Sequence, residues 1–554
     1  HLHLRTPELP VHGVTDAPGE WERLEGALAQ TRKDLERTMA EVARRGDRQA
    51  AGIFEAHLLF LADPSLLEPA RNLIFQEQRN GAEAWQRASE AAADSYRAME
   101  DPYLRGRAVD VLDVSRQVII HLLGEAEGGP VLESPGILIA DDLTPAVTAR
   151  LDPRLVRGIC TASGSPTSHS AILARTFGIP AVVGLGQGIL AMPEGESLVV
   201  DADRGWVIPE PDAETLAAYT AELVVREAAA ASALAESAAP AVSKDGRRIE
   251  IGANIGSLAE ARVAVALGAE GIGLLRTEFL FLDRKDAPDE EEQVAAYRDI
   301  AEVMGGRPVI IRTLDIGGDK PLPYIDLGQE ANPFLGWRAI RMCLAQPAFF
   351  KTQLRAILRA AALHPLRVMF PMVATLEELR AAKGLLAEAR AEALAAGHAV
   401  PDRLETGIMV EVPSAALLAD LLAAEVDFFS IGTNDLTQYT LAAERGNTRV
   451  AALGDPCHPV VLGLVKRIAD AAHAQGKWVG LCGELGADPD AIPVLLGLGV
   501  DELSMSAPAI PAVKRRLREL TWPEARDLAT RVLALGTTAE VRQACRAAAT
   551  AGGA

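Results

Sequence analysis

The feature that most constrains the fold is a regular alternation of strand-like and helical segments that begins at residue 244. Each predicted strand is short and apolar, and a helical segment follows it. The predicted strands lie at 248–253, 271–275, 309–314, 366–370, 407–410, 428–431, 478–481 and 502–505. Eight strand–helix units over about 310 residues predict an α/β fold, a C-terminal (β/α)8 TIM barrel over residues 244–554.

Polar residues follow five of these strands, at the end where a TIM barrel carries its active site. They are Arg276, Arg312, Glu411, Asn434, Asp435 and Cys482, with Arg445 further along the loop after the sixth strand. Because the carboxyl ends of all strands open on one face of a barrel, we expect these side chains to form one site.

The residue types at these strand ends indicate the chemistry. Arg276, Arg312 and Arg445 are bidentate donors for a phosphate or a carboxylate. Glu411 and Asp435 form an oxygen pair suited to Mg²⁺, which keeps water and substrate oxygens in its remaining positions.

Cys482 is predicted to give or take a proton at the centre of this rim. Any one of these residues alone could have an ordinary structural role, such as a surface ion pair or a core cysteine. The agreement of five strand ends favours a catalytic site.

The residues before the barrel divide into a helical part, a small α/β part and a connection. Helical spacing of apolar residues predicts a bundle over 16–124, and short strands alternating with short helices predict an α/β domain over 125–211. An Ala- and Glu-rich segment predicts a linker helix over 212–243. The predicted bundle helices lie at 21–45, 51–62, 66–78, 82–99 and 104–123. The predicted α/β strands lie at 137–140, 156–161, 181–183, 197–200 and 206–208.

One histidine of the predicted α/β domain, His169, stands at the start of a predicted helix. Residues 155–161 predict a strand, Gly164 and Pro166 interrupt it, and residues 170–175 are helical. A helix N-terminus disfavours the imidazolium and offers free N–H groups to a phosphate, so His169 could carry a phosphoryl group. A single histidine in this position could equally cap the helix.

Composition limits the partners and the compartment. A net charge of −21 argues against general binding to nucleic acid or to a membrane surface. The five cysteines form no CxxC pair, and the sequence contains neither a signal peptide nor an apolar run of membrane-spanning length. We therefore expect a cytoplasmic protein without membrane insertion.

Several stretches carry a resemblance to a known family. They are 271–281, 312–320, 332–338, 370–372, 431–439 and 481–484. The chain resembles enzyme I of the bacterial phosphotransferase system, the family of phosphoenolpyruvate-protein phosphotransferases, over nearly its whole length. The resemblance makes residues 1–15 the remnant of the strand that opens the phosphohistidine domain. This chain would then be cut from a longer polypeptide, and a fused multiphosphoryl transfer protein is one such source.

The resemblance implies a role for each candidate residue. His169 would be the phosphorylated histidine of a swivelling domain, and Cys482 would protonate the enolate. The phosphoenolpyruvate ligands would be Arg276, Arg312, Asn434, Asp435 and Arg445, and the Mg²⁺ ligands would be Glu411 and Asp435. The phosphoryl group would pass from phosphoenolpyruvate to His169 and then to the histidine-containing phosphocarrier protein, releasing pyruvate. This is the first step of sugar uptake by that system.

The resemblance also implies partners. The helical bundle would dock the phosphocarrier protein, with His57 and Arg107 in the docking helices, and the barrel would form a homodimer. Directly before His169, Ser165 and Pro166 differ from the residues that are usual in the family.

Two other functions remain open at this point. A pyruvate phosphate dikinase or phosphoenolpyruvate synthase shares the mobile histidine domain and the barrel, but the N-terminal helices do not resemble a nucleotide-binding domain. A catalytically silent regulator would not need the complete set of candidate residues.

Overall fold

A computed structural model describes residues 14–44, 54, 57–98, 102–124, 134–143, 147–148, 151–164, 169–282, 284–317, 324–325, 330–444 and 450–551. The chain divides into two compact units, His1–Val224 and Val225–Ala554. Arg445, Ser165, Pro166, most of the predicted remnant 1–15 and residues 51–53 and 55–56 of the predicted helix 51–62 lie outside the described residues. The finer domain boundaries stay predictions.

The N-terminal unit begins with the predicted helical bundle. Its long helices are α1 Ala17–Arg44, α2 Pro64–Phe75, α3 Gly81–Arg97 and α4 Pro102–Leu123. Side-chain caps set two of the starts: Asp63 accepts the N–H of Ser65 before α2, and Asn80 accepts the N–H of Glu83 before α3. The apolar faces of the helices meet around Trp85, which is fully buried.

The α/β part of this unit also follows the prediction. A parallel sheet contains β1 Gly136–Ala140, β2 Val156–Thr161 and β3 Ala181–Val182, and an antiparallel pair contains β4 Leu198–Asp201 and β5 Trp206–Pro209. Helix α5 His169–Thr176 follows β2, and helix α6 Ala213–Ala235 follows β5.

The second unit contains the predicted barrel, closed and parallel, with its strands paired in chain order. The strands are β6 Glu250–Ile255, β7 Gly271–Arg276, β8 Val309–Arg312, β9 Leu366–Phe370, β10 Glu405–Val410, β11 Phe428–Ile431, β12 Trp478–Leu481 and β13 Glu502–Met505. All eight predicted strands are therefore confirmed, and the bounds differ by at most two residues.

Helices follow the strands and surround the barrel. They are α7 Leu258–Ala266, α8 Glu290–Met304, α9 Ile340–Ala345, α10 Pro347–Ala361, α11 Leu376–Ala395, α12 Pro413–Leu417, α13 Ala419–Ala423, α14 Thr433–Leu441, α15 Pro459–Ala474, α16 Ile492–Leu498, α17 Ile510–Arg518, α18 Trp522–Val532 and α19 Thr538–Ala551. A small apolar cluster fills the barrel interior: Leu274, Ile310, Met369, Met409, Phe428 and Cys482. This packed interior holds the strand ends rigidly, and the polar residues that follow them extend from a fixed frame.

Candidate active site at the carboxyl end of the barrel

Two of the predicted arginines stand side by side at the ends of neighbouring strands. Arg276 ends β7 and pairs in register with Arg312, which ends β8. The Arg276 side chain is exposed, whereas Arg312 is buried. The parallel register therefore brings both guanidinium groups to the same end of the barrel, as predicted.

Arg312 is held by two carboxylates. Its guanidinium pairs with Glu278, and its Nη1 lies 2.9 Å from Oδ2 of Asp315. Burial alone would lower the pKa of Arg312, but the charges of Glu278 and Asp315 outweigh it and raise that pKa above its ordinary value. The cation is thus permanently charged and fixed in position.

A third arginine, Arg338, joins this network from the loop after β8. Its Nη2 lies 3.0 and 3.1 Å from the two carboxylate oxygens of Asp315, and 3.6 Å from Oδ2 of Asp435. Its Nη1 donates to the Tyr439 hydroxyl at 3.2 Å. Gly317 permits this approach, because a Cβ there would lie 2.4 Å from Cβ of Arg338.

Each of these buried guanidinium groups keeps an unused donor. The Nε atoms of Arg312 and Arg338 are buried and have no hydrogen-bond partner among the described residues. A buried cationic donor without a partner is costly, and an anionic oxygen satisfies it well. The arrangement therefore suits an anionic ligand.

Glu411 and Asp435 bring carboxylates to the same end of the barrel. Glu411 directly follows β10 and is only 2% exposed. Its Oε1 accepts the Met372 N–H at 2.7 Å. Met372 has a φ of 56°, a left-handed conformation that costs energy for a residue with a side chain. Burial, followed by the negative charges of Asp435 and Asp315, raises the pKa of Glu411 to about 8.

This donor set fits a hard divalent cation. Burial is the main cause of the raised pKa of Glu411, but the charges of Asp435 and Asp315 add to it and a cation would neutralise them; both predicted ligands are carboxylates. Among the described residues, no group of three or more His, Cys, Asp or Glu side chains could hold a metal ion. A pair of carboxylates is the smaller set with which Mg²⁺ is commonly bound when substrate oxygens and water complete its shell.

Cys482 and Asn434 lie on the two neighbouring segments that follow β12 and β11. The Asn434 Oδ1 accepts the Glu484 N–H at 3.1 Å, and the Cys482 Sγ lies 3.7 Å from the Ile431 carbonyl oxygen. Burial raises the pKa of the Cys482 thiol to about 11, so the thiol stays protonated at neutral pH.

A glycine allows these two segments to touch. A Cβ at Gly483 would lie 1.8 Å from Oγ1 of Thr433 and 2.7 Å from its backbone nitrogen. Any larger residue would force the segments apart.

In the N-terminal unit, His169 is the first residue of α5, as predicted, and its side chain is not among those described. The helix is anchored by the Ser170 hydroxyl, which donates to the Leu143 carbonyl oxygen, and by Leu173, which is buried in the core of the helical bundle. The helix that begins with the candidate nucleophile therefore packs against the bundle.

His57 does not lie where direct docking requires it. Its side chain is fully buried, and its Nε2 lies 3.5 Å from Oδ1 of Asp110. Arg107 is partly exposed and lies 3.3 Å from the other oxygen of the same carboxylate. The resemblance placed both residues in the docking helices but could not show that His57 faces the core; His57 does not reach the surface directly, and a docking role for either residue stays a prediction.

Of the predicted barrel residues, Arg276, Arg312, Glu411, Asn434, Asp435 and Cys482 all lie at the carboxyl end of the barrel, and Arg445 lies outside the described residues. The sequence analysis missed Asp315, Arg338 and Tyr439. All three lie in the stretches 312–320, 332–338 and 431–439 that carried the resemblance. Arg338 and Tyr439 lie well beyond the strand ends, whereas Asp315 directly follows the predicted strand 309–314 and could have been found by the same rule.

Within the described residues, none of the helices is long and apolar enough to cross a bilayer.

The whole chain is similar to known proteins. Family models match residues 2–107 (PEP-utilising enzyme, N-terminal), 132–205 (PEP-utilising enzyme, mobile domain) and 230–522 (PEP-utilising enzyme, PEP-binding domain). The phosphoenolpyruvate-protein phosphotransferase of Geobacillus stearothermophilus is 47% identical over 97% of this chain and 94% of its own length. Those of Bacillus subtilis and Staphylococcus carnosus are 43% and 45% identical, over 97% and 95% of this chain and 95% and 92% of their own lengths.

Proposed function

This chain belongs to the phosphoenolpyruvate-protein phosphotransferase family, the enzymes I of the bacterial phosphotransferase system, and we propose that His169 carries the phosphoryl group from phosphoenolpyruvate to the phosphocarrier protein. The products are pyruvate and a phosphorylated histidine-containing carrier, in the cytoplasm, as the first step of sugar uptake. The observation that carries the proposal is the pair of buried arginines, Arg312 and Arg338, whose Nε donors find no partner in the described part of the chain.

Phosphoenolpyruvate presents a phosphate and a carboxylate, and the rim offers arginines for both. Arg276 is exposed at the rim and takes an outer oxygen, while Arg312 supplies the buried donor described above. Arg338 extends the set beyond the residues that the sequence analysis named, and Arg445, which lies outside the described residues, stays in the set as a predicted ligand. Asn434 adds an amide group to the same ligand set.

Mg²⁺ is the metal that we propose, held by Glu411 and Asp435, and the raised pKa of Glu411 supports a cation between them. When bound, Mg²⁺ neutralises charge on the phosphoryl oxygens and on the developing enolate. Arg312 and Arg338 balance the remaining carboxylate charge, so the ligands stay fixed when substrate enters.

The transfer itself needs few groups. A ring nitrogen of neutral His169 attacks the phosphorus, a nitrogen–phosphorus bond forms, and the bond from phosphorus to the enol oxygen breaks. The electron pair leaves with the enolate, whose methylene carbon takes the thiol proton of Cys482, giving pyruvate. The thiolate then regains a proton from water. His169 and the rim belong to different compact units, and we place the hinge between them in residues 212–243.

The carrier protein docks on the helical bundle in this proposal, beside the helix that begins with His169. Arg107 contributes the partly exposed cation, and buried His57 lies behind it, with its Nε2 3.5 Å from Oδ1 of Asp110, the residue that pairs with Arg107. The packing of Leu173 into the bundle core supports a docking face close to the histidine.

A second copy of the chain covers an apolar surface of the barrel in this proposal. Three exposed aliphatic side chains lie on helices that pack together: Leu417 on α12, Leu421 on α13 and Val460 on α15; a fourth, Leu453, precedes α15 in the chain. Helices α12 and α13 both pack against α15, and Arg467 of α15 donates to the Leu417 carbonyl oxygen at 2.9 Å. Exposed apolar side chains grouped in this way are typical of an interface.

Labelling with radioactive phosphoenolpyruvate tests the function. With Mg²⁺ and no nucleotide, we expect an acid-labile, base-stable phosphoprotein that the His169→Ala variant lacks and that the carrier protein discharges. Absence of label in the unaltered protein would contradict the proposal, and label from ATP alone would indicate a dikinase. The His57→Ala variant separates docking from chemistry: it should accept label normally and discharge it slowly.

A further inference from the structure

We propose that Arg542, on the C-terminal helix α19, is a positioning residue for the reaction, because it ties the segment that follows Cys482 to the segment that follows α14, the helix whose first turn carries Asn434 and Asp435. The inference rests on the proposed function for its kinetic consequence, whereas its structural consequence can be measured without any substrate.

The arginine bridges two carboxylates from different loops. Its Nε and Nη2 donate to the two oxygens of Asp455 at 2.9 and 2.7 Å, and its Nη1 pairs with Asp488. The Arg542 side chain is 22% exposed, and those of Asp455 and Asp488 are 28% and 24% exposed. A planar guanidinium that engages one carboxylate with two donors and a second with its third nitrogen fixes both in direction as well as in distance.

Each carboxylate lies on a chain segment that follows predicted site residues. Asp488 lies six residues after Cys482, at the end of the short turn Glu484–Ala487. Asp455 lies on the segment between α14, whose first turn carries Asn434 and Asp435, and α15. The position of the proton donor relative to the substrate ligands therefore depends on how these loops are held.

The segment after β12 is connected at two points to the stretch that runs from α14 to α15. At the inner point, the Glu484 N–H reaches the Asn434 side chain, and Gly483 packs directly on Thr433. At the outer point, Arg542 supplies the tie. With the inner tie alone the loops can pivot, and the outer tie removes that freedom.

Local hydrogen bonds make both carboxylates rigid parts of their loops. Asp455 also accepts the Cys457 N–H at 2.9 Å, and Asp488 accepts the Asp490 N–H at 3.0 Å. The helix side of the bridge is fixed as well, because Val541 and Cys545 on either side of Arg542 are fully buried. Without the guanidinium, two carboxylates would face each other across the gap and repel.

The next turn of the same helix offers a matched control. Arg546 lies 3.5 Å from Asp490 through one nitrogen, and its side chain is 71% exposed. An exposed ion pair of this kind contributes little to stability or position. Arg542→Met and Arg546→Met therefore remove the same charge from one helix, and only the first removes the bridge.

Kinetics of the full-length protein with phosphoenolpyruvate, Mg²⁺ and the carrier protein test the consequence. For Arg542→Met we expect kcat for pyruvate formation to fall about tenfold while KM changes less than about threefold, because proton delivery loses its geometry and binding does not. The solvent deuterium isotope effect on kcat should rise. Arg542→Lys should recover part of the rate, and Arg546→Met should match the unaltered protein.

Hydrogen exchange of the substrate-free proteins tests the structure directly. Amides of 450–458 and 482–490 should exchange faster in Arg542→Met, whereas those in Arg546→Met should not change. Asp455→Asn keeps the acceptor for Cys457 and should reproduce the effect, which provides a second variant if Arg542→Met folds poorly.

The outcomes separate the two proposals. Unchanged exchange and unchanged kcat in both Arg542→Met and Asp455→Asn would overturn this inference. Failure of the unaltered protein to accept label would overturn the proposed function instead, and the exchange result would still decide whether Arg542 holds the loops.

Discussion

At the scale of single residues, the rim is organised by charge balance. Buried Arg312 and Arg338 both form ion pairs with Asp315. The charges of these two arginines, of Asp315 and of Asp435 all act on the buried carboxyl of Glu411. Isolated charges at this depth would be very costly, so the network is held together by mutual neutralisation. A phosphorylated substrate that enters with a divalent cation adds little net charge and so preserves this balance.

Glu411→Gln removes one predicted metal ligand and keeps the side-chain volume and the acceptor for the Met372 N–H. We expect the Mg²⁺ concentration for half-maximal labelling of His169 to rise at least about tenfold, because one anionic oxygen is lost. Direct Mn²⁺ binding to the substrate-free protein should weaken in parallel. Glu388→Gln, at an exposed carboxylate on α11, serves as the control. An unchanged metal dependence in Glu411→Gln would remove this residue from the ligand set.

Cys482→Ala tests the proton donor. The raised pKa of the thiol keeps it protonated at pH 7, so Cys482 can donate a proton but cannot accept one. We expect kcat for pyruvate formation to fall by about 10²- to 10⁴-fold with little change in KM for phosphoenolpyruvate. Cys160→Ala, at a buried thiol in the other compact unit, should leave both constants unchanged. A normal kcat in Cys482→Ala would assign the proton to another group.

At the scale of elements, the carboxyl end of a barrel strand faces the candidate site, and its amino end, called the structural end below, serves stability. The structural end of β13 begins with Glu502, which is buried and whose Oε1 has no hydrogen-bond partner among the described residues. Gly273 on β7 makes room for it, because a Cβ there would lie 2.3 Å from that oxygen. Burial, together with the charge of Glu250, raises the pKa of Glu502 to about 8.

This raised pKa predicts a pH-dependent stability. The carboxyl binds a proton in the folded state that it loses near its ordinary pKa of about 4.3 when unfolded. The protonated carboxyl therefore contributes its full share of the free energy of unfolding below about pH 4. This share is lost as the pH rises to about 8, at about 1.4 kcal/mol per pH unit.

Denaturant unfolding of Glu502→Gln and of the unaltered protein measures this contribution. The variant should become more stable than the unaltered protein, by an increasing margin, as the pH rises from 6 to 8. Glu524→Gln, at an exposed carboxylate on α18, should show a constant difference. A constant difference for Glu502→Gln as well would mean that Glu502 is ionised throughout.

At the scale of the whole molecule, the chain contains separate cores. The bundle packs around Trp85, the three-stranded sheet has its own cluster, and the barrel has a third and much larger core. Each compact unit can therefore keep its internal geometry while the linker region between them changes conformation. This division suits a carrier histidine that must meet a substrate site and a partner protein in turn.

Leu421→Glu places a charge in the middle of the apolar barrel surface and tests self-association. Since Leu421 is 57% exposed, the fold should tolerate the change, and the free energy of unfolding of the isolated subunit should change little. We expect sedimentation to show a dimer for the unaltered protein and a monomer, or a dimer weakened at least about tenfold, for the variant. Leu363→Glu, at a leucine that is 74% exposed and lies just beyond α10, is the control. A variant that remains a dimer would place the interface elsewhere.

The sequence by itself determined the element types and the barrel. Apolar runs at strand spacing, each followed by a helix, leave few other ways to bury their surface, and all eight strands lie where they were predicted. It also determined which strand ends carry chemistry, because in a parallel barrel every carboxyl end opens on the same face.

Only the tertiary structure decided how those residues are arranged. The contacts of Arg338 with Asp315 and of Arg542 with Asp455 join positions that are 23 and 87 residues apart along the chain, and the burial of His57 depends on the packing of the whole bundle. Local spacing carries no information about such contacts, because they depend on the direction in which each loop leaves its strand. Close packing sets that direction, as Gly317 and Gly483 show, and it turns a list of polar strand ends into one charged network.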